Sequence, residues 1–291
     1  MLNKDYKING FFNLYKPSGI TSAYALVKIK KKLNGEKVGH MGTLDPMASG
    51  VLPVAIGKST RLFDYLLDKD KEYNANFTFG YETDTLDAEG KIIKETNVIP
   101  TKEEILGVIA SLVGKVDQIP PLFSAKNVDG KRSYALARQG IQVELPPKQV
   151  EITSIKLNGK IDENTYNFTI NCKGGTYIRS ICRDMAYKLN SLATMTKLTR
   201  TKSGAFTLEN AVSFNDIESI DLQDYIISPD KILSNESIYL GEKDSVELSF
   251  GRQVIIDKPN GFYKVYDSEN IFVGVGEILN NNLKIKAYIK D

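Results

Sequence analysis

Gly39-His40-Met41-Gly42-Thr43-Leu44-Asp45-Pro46-Met47-Ala48-Ser49-Gly50 holds the only histidine of the 291-residue chain, five positions ahead of an aspartate set against a proline. Its three glycines, its proline and its lack of apolar periodicity predict a loop whose backbone is specified residue by residue. Loops specified in that way commonly carry function. A residue before proline is driven from the helical region toward extended backbone, so Asp45 presents its short carboxylate away from its own main chain. Such a carboxylate can act as nucleophile or base; the plainer reading is that Asp45-Pro46 only opens a turn.

Periodicity makes the flanking elements legible. Ala25, Leu26, Ile29 and Leu33 form one stripe of a helix from Ser22 to Leu33, stopped at Gly35, with Lys28, Lys30, Lys31 and Lys32 on its other faces. A shorter helix is expected over Lys58 to Leu67. Tyr73, Ala75, Phe77 and Phe79 alternate as one face of a strand between Glu72 and Thr83. Thr101-Lys102-Glu103-Glu104 reads as a capping box for a helix that turns Ile105, Val108, Ile109 and Leu112 inward and closes at Gly114. Residues 115 to 150, rich in Pro, Lys and Arg, predict a long partner-gripping loop with one short helix, Ser133 to Gln139. Tyr166, Phe168, Ile170 and Cys172 alternate as a strand that Gly174-Gly175 ends, and the following helix buries Ile178, Ile181, Cys182, Met185, Ala186 and Leu189. Arg179 falls in the first turn of that helix, where the macrodipole disfavours a cation. A carboxylate partner such as Asp45 makes better sense of it than solvent does.

Composition narrows the function classes. Apolar residues at 42% and charged residues at 25% are ordinary for a soluble globular protein, and the length suits one large domain with a small one. A net charge of +2 carries no global signal for a polyanionic partner, so nucleic-acid binding rests on local patches. One candidate patch is Lys173, Arg179, Arg183, Lys188, Lys197, Arg200 and Lys202, which meet only Asp184 as an acid. Cys172 and Cys182 sit at apolar-face positions and read as buried thiols. With one histidine and no cysteine pair at ligand spacing, no metal is expected. Ala55-Ile56-Gly57-Lys58-Ser59-Thr60 ends like a phosphate-binding P-loop, but Leu52 stands where its first glycine belongs and Pro53 lacks an N–H. Nucleotide hydrolysis is therefore set aside, and Lys58 reads as a helix-start residue that could touch a phosphate. No apolar leader or membrane-length apolar stretch is evident, so a cytoplasmic protein is expected. After Ser234 the short alternating segments Phe262 to Tyr266, Ile271 to Val275 and Leu283 to Ile289 predict a small all-β module.

In chain order, Lys16-Pro17-Ser18-Gly19, Gly39 to Pro46 with Ala48-Ser49-Gly50-Val51-Leu52-Pro53, Thr83-Asp84-Thr85-Leu86-Asp87-Ala88-Glu89-Gly90 and Gly175-Thr176-Tyr177-Ile178-Arg179-Ser180 resemble the signature segments of the bacterial tRNA pseudouridine-55 synthases, the TruB family. Pro120 to Arg138 resembles a fifth, with Asn127 where a lysine is expected. The resemblance covers residues 10 to 210, and ordered motifs over such a span are far more specific than any one of them. It implies an α+β pseudouridine-synthase fold over residues 1–234, a mixed, mainly antiparallel sheet flanked by helices and loops. Residues 235–291, on Gly261-Phe262 and Phe272-Val273-Gly274-Val275-Gly276, resemble a PUA module, a small β-barrel-like RNA-binding unit.

The resemblance further implies that Asp45 is the catalytic carboxylate and that no cofactor is needed. Lys16, His40, Tyr73, Tyr177, Arg179 and Leu198 are the implied substrate-binding residues. Among them Arg179 would keep Asp45 ionised by lowering its pKa, Tyr73 would stack on the target uracil, Tyr177 and Leu198 would line its pocket, and His40 would fill the gap left by a flipped base. For Tyr73 and Leu198 core packing is the competing reading. The implied substrate is tRNA, held through its T-arm stem-loop and isomerised at uridine-55 by a monomer that needs no protein partner and no membrane. Two other functions fit the same residues: a catalytically idle RNA-binding or tRNA-folding protein, and a synthase for another RNA. Whether Asp45 attacks C1′, assists elimination to a glycal or adds to C6 stays open.

Overall fold

Alternation along Lys71–Phe79 buries Lys71, Tyr73, Ala75, Phe77 and Phe79 on one face and places this strand inside a ten-stranded sheet. The computed structural model describes residues 8–66, 70–123, 127–128, 131–132 and 145–290. Its strands up to residue 213 are β1 (Gly10–Lys16), β2 (Val38–His40), β3 (Ser49–Ile56), β4 (Lys71–Phe79), β5 (Tyr81–Thr83), β6 (Ile92–Glu95), β7 (Gly114–Gln118), β8 (Asn127–Val128), β9 (Lys131–Arg132), β10 (Lys148–Lys160), β11 (Thr165–Cys172), β12 (Ala193–Ser203), β13 (Phe206–Thr207) and β14 (Val212–Ser213). The main sheet runs β14-β1-β3-β12-β4-β11-β10-β7, with β13 on β12 and β2 on β3. It is antiparallel except where β1 meets β14 and β3 meets β12. Helices Ser22–Lys32, Lys102–Ile109 and Ile178–Lys188 flank it, so the expected mixed, mainly antiparallel α+β fold is present.

Local chemistry accounts for the helices. Thr21 caps the first by accepting from Tyr24 N, and Thr101 with Glu104 completes the expected reciprocal box. The third helix buries Ile178, Ile181, Cys182, Met185 and Ala186. Its entry is tied to the sheet edge by Gln118, whose Oε1 accepts from Tyr177 N at 2.8 Å while its Nε2 donates to Tyr177 O at 3.1 Å. The core between sheet and helices joins Phe12, Phe77, Phe79, Phe168, Ile29, Ile181 and Met185, with the Phe77 and Phe168 rings 4.8 Å apart.

Two expectations need correction. Residues 115 to 150 are not one long loop: Gly114–Gln118 pairs with a β10 that starts at Lys148, in the register Val116↔Val150. Val116 turns inward while Lys115 and Asp117 face out, an edge-strand pattern that the charge count concealed. The helix expected over Ser133 to Gln139 lies outside the described residues, and Asn127 opens the short strand β8. The C-terminal region is not all-β either. Its sheet of β15 (Ser237–Tyr239), β16 (Val254–Ile255), β17 (Gly261–Tyr266), β18 (Phe272–Leu279) and β19 (Asn282–Tyr288) is joined by a helix, Glu242–Ser249. Only Leu248 of that helix is buried, too little to leave a stripe in the sequence.

The C-terminal sheet is built onto the rest. Phe11, Val51, Ala55 and Leu62 share one buried cluster with Leu233, Val275, Ala287 and Ile289. The 3₁₀ helix Gly57–Tyr65 makes the polar seam: Lys58 Nζ donates to Lys290 O at 2.7 Å, Arg61 Nη1 to Tyr288 O at 3.0 Å, and Tyr65 packs edge-on against Phe262. Lys58, read from the sequence as a possible phosphate contact, is thus directed into this seam. Among the described residues no helix is long and apolar enough to cross a membrane. Removing residues 235–291 exposes the shared cluster at about 1.5–3 kcal/mol for each large side chain uncovered. A chain ending at Ser234 is therefore expected to melt below the full chain in differential scanning calorimetry and to bind a hydrophobic dye; an unchanged melting temperature contradicts the shared core.

Candidate active site

The signature stretch is less of a loop than its composition predicts. His40 ends β2, paired with Val54, and Ser49-Gly50 begin β3, so only residues 41 to 48 are irregular. Gly50 has φ +109°, and a Cβ there would stand 2.2 Å from Arg200 O, so the strand crossing admits only glycine. The irregular part rests on buried side chains. Ser22 Oγ donates to Leu44 O and accepts from Leu44 N, both at 2.9 Å. Arg200 donates from Nη2 to Gly42 O at 3.0 Å and from Nε to Val51 O at 2.7 Å. Lys16 is fully buried, its ammonium on Pro17 O, Ile20 O and Pro46 O at 2.9, 2.8 and 3.2 Å. Lys16 is therefore a pedestal under Pro46 and not a substrate contact: its three donors are spent on carbonyls, and burial lowers its pKa to about 8 although Asp45 and Glu89 pull it up.

On this base Asp45 meets Arg179. Arg179 Nη2 lies 2.9 Å from Asp45 Oδ2, and Nη1 lies 3.2 Å from Asp87 Oδ2. The same guanidinium donates to Thr85 O at 2.9 Å and Phe123 O at 3.0 Å. Asp87 is held by the turn around it: Thr85 Oγ1 and Glu89 N donate to its Oδ1 at 2.6 and 3.1 Å, and Thr83 Oγ1 donates to its carbonyl at 2.7 Å. Leu86 takes φ +62° in that turn, and a Cβ on Gly90 would press within 2.3 Å of Thr85 Oγ1. The Thr83–Gly90 motif thus delivers one buried carboxylate, 3% exposed, to the arginine.

Above these residues opens a cavity of about 710 Å³, lined by Asp45, His40, Tyr73, Tyr177, Leu198 and Arg179 among others. Six of the seven expected site residues therefore share one cavity, and Lys16 lies beneath it. Tyr73 and Leu198 are 7% and 6% exposed, so they serve as core and cavity wall together. His40 is half-buried, and its Nδ1 has no hydrogen-bond partner among the described residues.

Comparison with known proteins agrees with this architecture. Residues 30–178 match the model of the TruB family pseudouridylate synthase N-terminal domain, 179–232 that of the tRNA pseudouridylate synthase B C-terminal domain, and 237–286 that of pseudouridine synthase II TruB, C-terminal. The tRNA pseudouridine synthase B of Clostridium perfringens (strain 13 / Type A) is 40% identical over 97% of this chain and 99% of its own length. The chain belongs to the TruB family. The protein of the same name from Caulobacter vibrioides is 35% identical over 86% of this TruB-family chain and 82% of its own. Among solved structures, an H/ACA ribonucleoprotein bound to a substrate RNA containing 2′-deoxyuridine has a TM-score of 0.73 at 21% identity, covering 100% of this chain and 92% of that one. A Cbf5-Nop10-Gar1 complex has 0.71 at 24% identity, covering 100% and 90%. At these identities the likeness shows the fold alone.

Within this TruB-family site, two members escaped the sequence reading. Asp87 sits beside Asp84 and Glu89 in its own motif, with nothing local to single it out. Arg200 looked like part of a basic surface patch, whereas Arg179 and Arg200 are 4% and 1% exposed and Lys173 and Arg183 pair with Asp70 and Asp184. Its signal was the alternation Leu198, Arg200, which puts both on the cavity side of β12.

Asp45 also corrects an expectation. Burial pushes its pKa above the ordinary 3.8 and Asp87 adds to this, while Arg179 and Lys16 pull against it without winning. His40 goes the other way: burial and the charge of Arg200 lower its pKa below 6.5, so it is neutral at pH 7. If catalysis needs ionised Asp45, activity falls as pH drops through a raised pKa. The acid limb of kcat/KM is expected above the ordinary carboxylate value, and Arg179→Lys or Arg179→Gln shifts it upward again; a limb below 3.8 in the parent contradicts the assignment.

Proposed function

We propose that this chain converts uridine to pseudouridine in tRNA, at uridine-55 of the T-loop, without a cofactor and with Asp45 as the catalytic carboxylate. The reaction breaks the bond from ribose C1′ to N1 of uracil and joins C1′ to C5 of the same base; the C5 proton is lost and N1 gains one. It needs a carboxylate facing the flipped nucleoside, a cavity that holds the freed base while it turns, and exclusion of water from C1′. One observation carries the reading: Asp45 faces a cavity of nucleoside size while its carboxylate is oriented at 2.9 Å by a buried arginine that a second carboxylate, Asp87, holds in place.

On this reading Tyr73 stacks on the uracil, Tyr177 and Leu198 line its pocket, and His40, neutral at pH 7, fills the vacated stack. Residues 1–234 carry the chemistry and residues 235–291 add RNA contacts. The protein acts in the cytoplasm as a monomer.

Tritium release from a T-arm stem-loop carrying [5-³H]uridine tests the core of the proposal. Asp45→Asn is expected to lower the single-turnover rate by at least ~10² while RNA affinity stays within a few-fold, because phosphate contacts are untouched. Substantial release by this variant removes Asp45 from the mechanism. His40→Gln is expected to keep part of the rate, and the parent rate should show no single titration near 6.5, since burial and Arg200 move the imidazole's own titration below that value. A parent profile with that pKa, abolished in His40→Gln together with all activity, makes His40 an acid–base catalyst instead.

A further inference from the structure

Arg200 is the bulkiest of the fully buried side chains, and among the described residues no carboxylate pairs with it. Its donors go to neutral acceptors, Val51 O at 2.7 Å and Gly42 O at 3.0 Å. A buried cation without a counter-ion is costly, and a neutral side chain of similar volume would fill the same space at less cost. The expense points to work done at the cavity, whose wall Arg200 joins.

The sheet register shows where that work falls. Arg200 stands opposite Tyr73 across β4 and β12. The two side chains share one face of adjacent strands and one cavity wall, so the guanidinium stands beside the Tyr73 phenol and its charge works against the burial that raises the phenol's pKa. The other polar neighbours of this corner are Asp45, Cys172, His40 and Lys71. A phenolic oxygen that accepts from arginine keeps its own single hydrogen for another partner. A Tyr73 hydroxyl that accepts from the neighbouring guanidinium would have that hydrogen free for the cavity, which Asp45 also lines.

We infer that Arg200 is a positioning residue: anchored on Gly42 O and Val51 O, it orients the Tyr73 hydroxyl as a donor into the cavity and holds that hydroxyl in fixed relation to the loop carrying Asp45. The inference rests on uridine isomerisation as the reaction. It explains why the charge is retained. Arg200 joins the strand that bears Tyr73 to the loop and to β3 through one rigid planar group, which a flexible lysine cannot do with two separated carbonyls and a phenol at once.

Protein carrying [ζ-¹³C]tyrosine provides a test that needs no turnover. Among its fifteen tyrosines, the Tyr73 resonance is the one lost in Tyr73→Phe. In Arg200→Lys and Arg200→Gln that resonance is expected to shift while the others hold their positions; a Tyr73 resonance that stays put in folded variants overturns the inference. In single-turnover tritium release, Arg200→Lys is expected to slow the reaction about tenfold or more with RNA affinity within about twofold. In the Tyr73→Phe background the same change should alter the residual rate by less than about threefold. Equal losses in both backgrounds, or a loss confined to affinity, give Arg200 a merely structural role and overturn the inference. A parent chain that forms no pseudouridine counts against the proposed reaction, while the resonance experiment still decides the role of Arg200.

Discussion

A single buried guanidinium holds the site together. Arg179 reaches the signature loop at Asp45, the Thr83–Gly90 turn at Asp87 and Thr85, and the segment after β7 at Phe123. These pieces are far apart in the chain and meet at this side chain. Removing one partner from such a cluster leaves an uncompensated buried charge, typically a loss of about 3–5 kcal/mol, so the geometry of each carboxylate depends on the presence of the other. Two carboxylates around one arginine leave an excess negative charge. The buried Lys16 beneath the loop answers it and draws part of its own charged state from Asp45.

The rest of the molecule keeps that cluster still. Lys16, Ser22 and Arg200 grip the loop from below through carbonyls and amides, so the backbone around Asp45 has little freedom even though a third of its side chain is open to the cavity. Strand register does the same for the walls: Leu198 lies opposite Ala75 and Arg200 opposite Tyr73, which places Tyr73 and Leu198 on one face of adjacent strands. Sites carried on strands and helix starts are more sharply positioned than sites on free loops. The C-terminal sheet reaches this region as well. The 3₁₀ helix that binds β19 also packs Phe63 against Gly39, where a Cβ would come within 2.8 Å of the ring. A path of direct contact therefore runs from the C-terminal sheet to the residue before His40.

Electrostatics separates the roles within the cavity. Desolvation raises Asp45 and Tyr73 and lowers His40, three shifts with one cause acting on acids and a base. The expectation that Arg179 would keep the Asp45 pKa low left out the low-dielectric surroundings, which are a property of the closed fold.

The sequence by itself determined the elements whose signal is local. The alternation of Tyr73 to Phe79, the capping box at Thr101, the apolar face of Ile178 to Ala186 and the glycine-specified turn around Asp45 each follow from interactions within a few residues, and a cation in the first turn of a helix already called for a carboxylate. Tertiary structure alone decided which partners meet. Asp87 and not Asp84 faces Arg179, Lys16 lies under the loop and not in the cavity, Arg200 is a buried strut and not a surface charge, and Gly114–Gln118 is an edge strand because Lys148–Gln149–Val150 arrives beside it. Each of these depends on strand register and chain closure between distant segments, and on how far burial strips water from a charge. A side chain carries the same local pattern whether or not that water is removed.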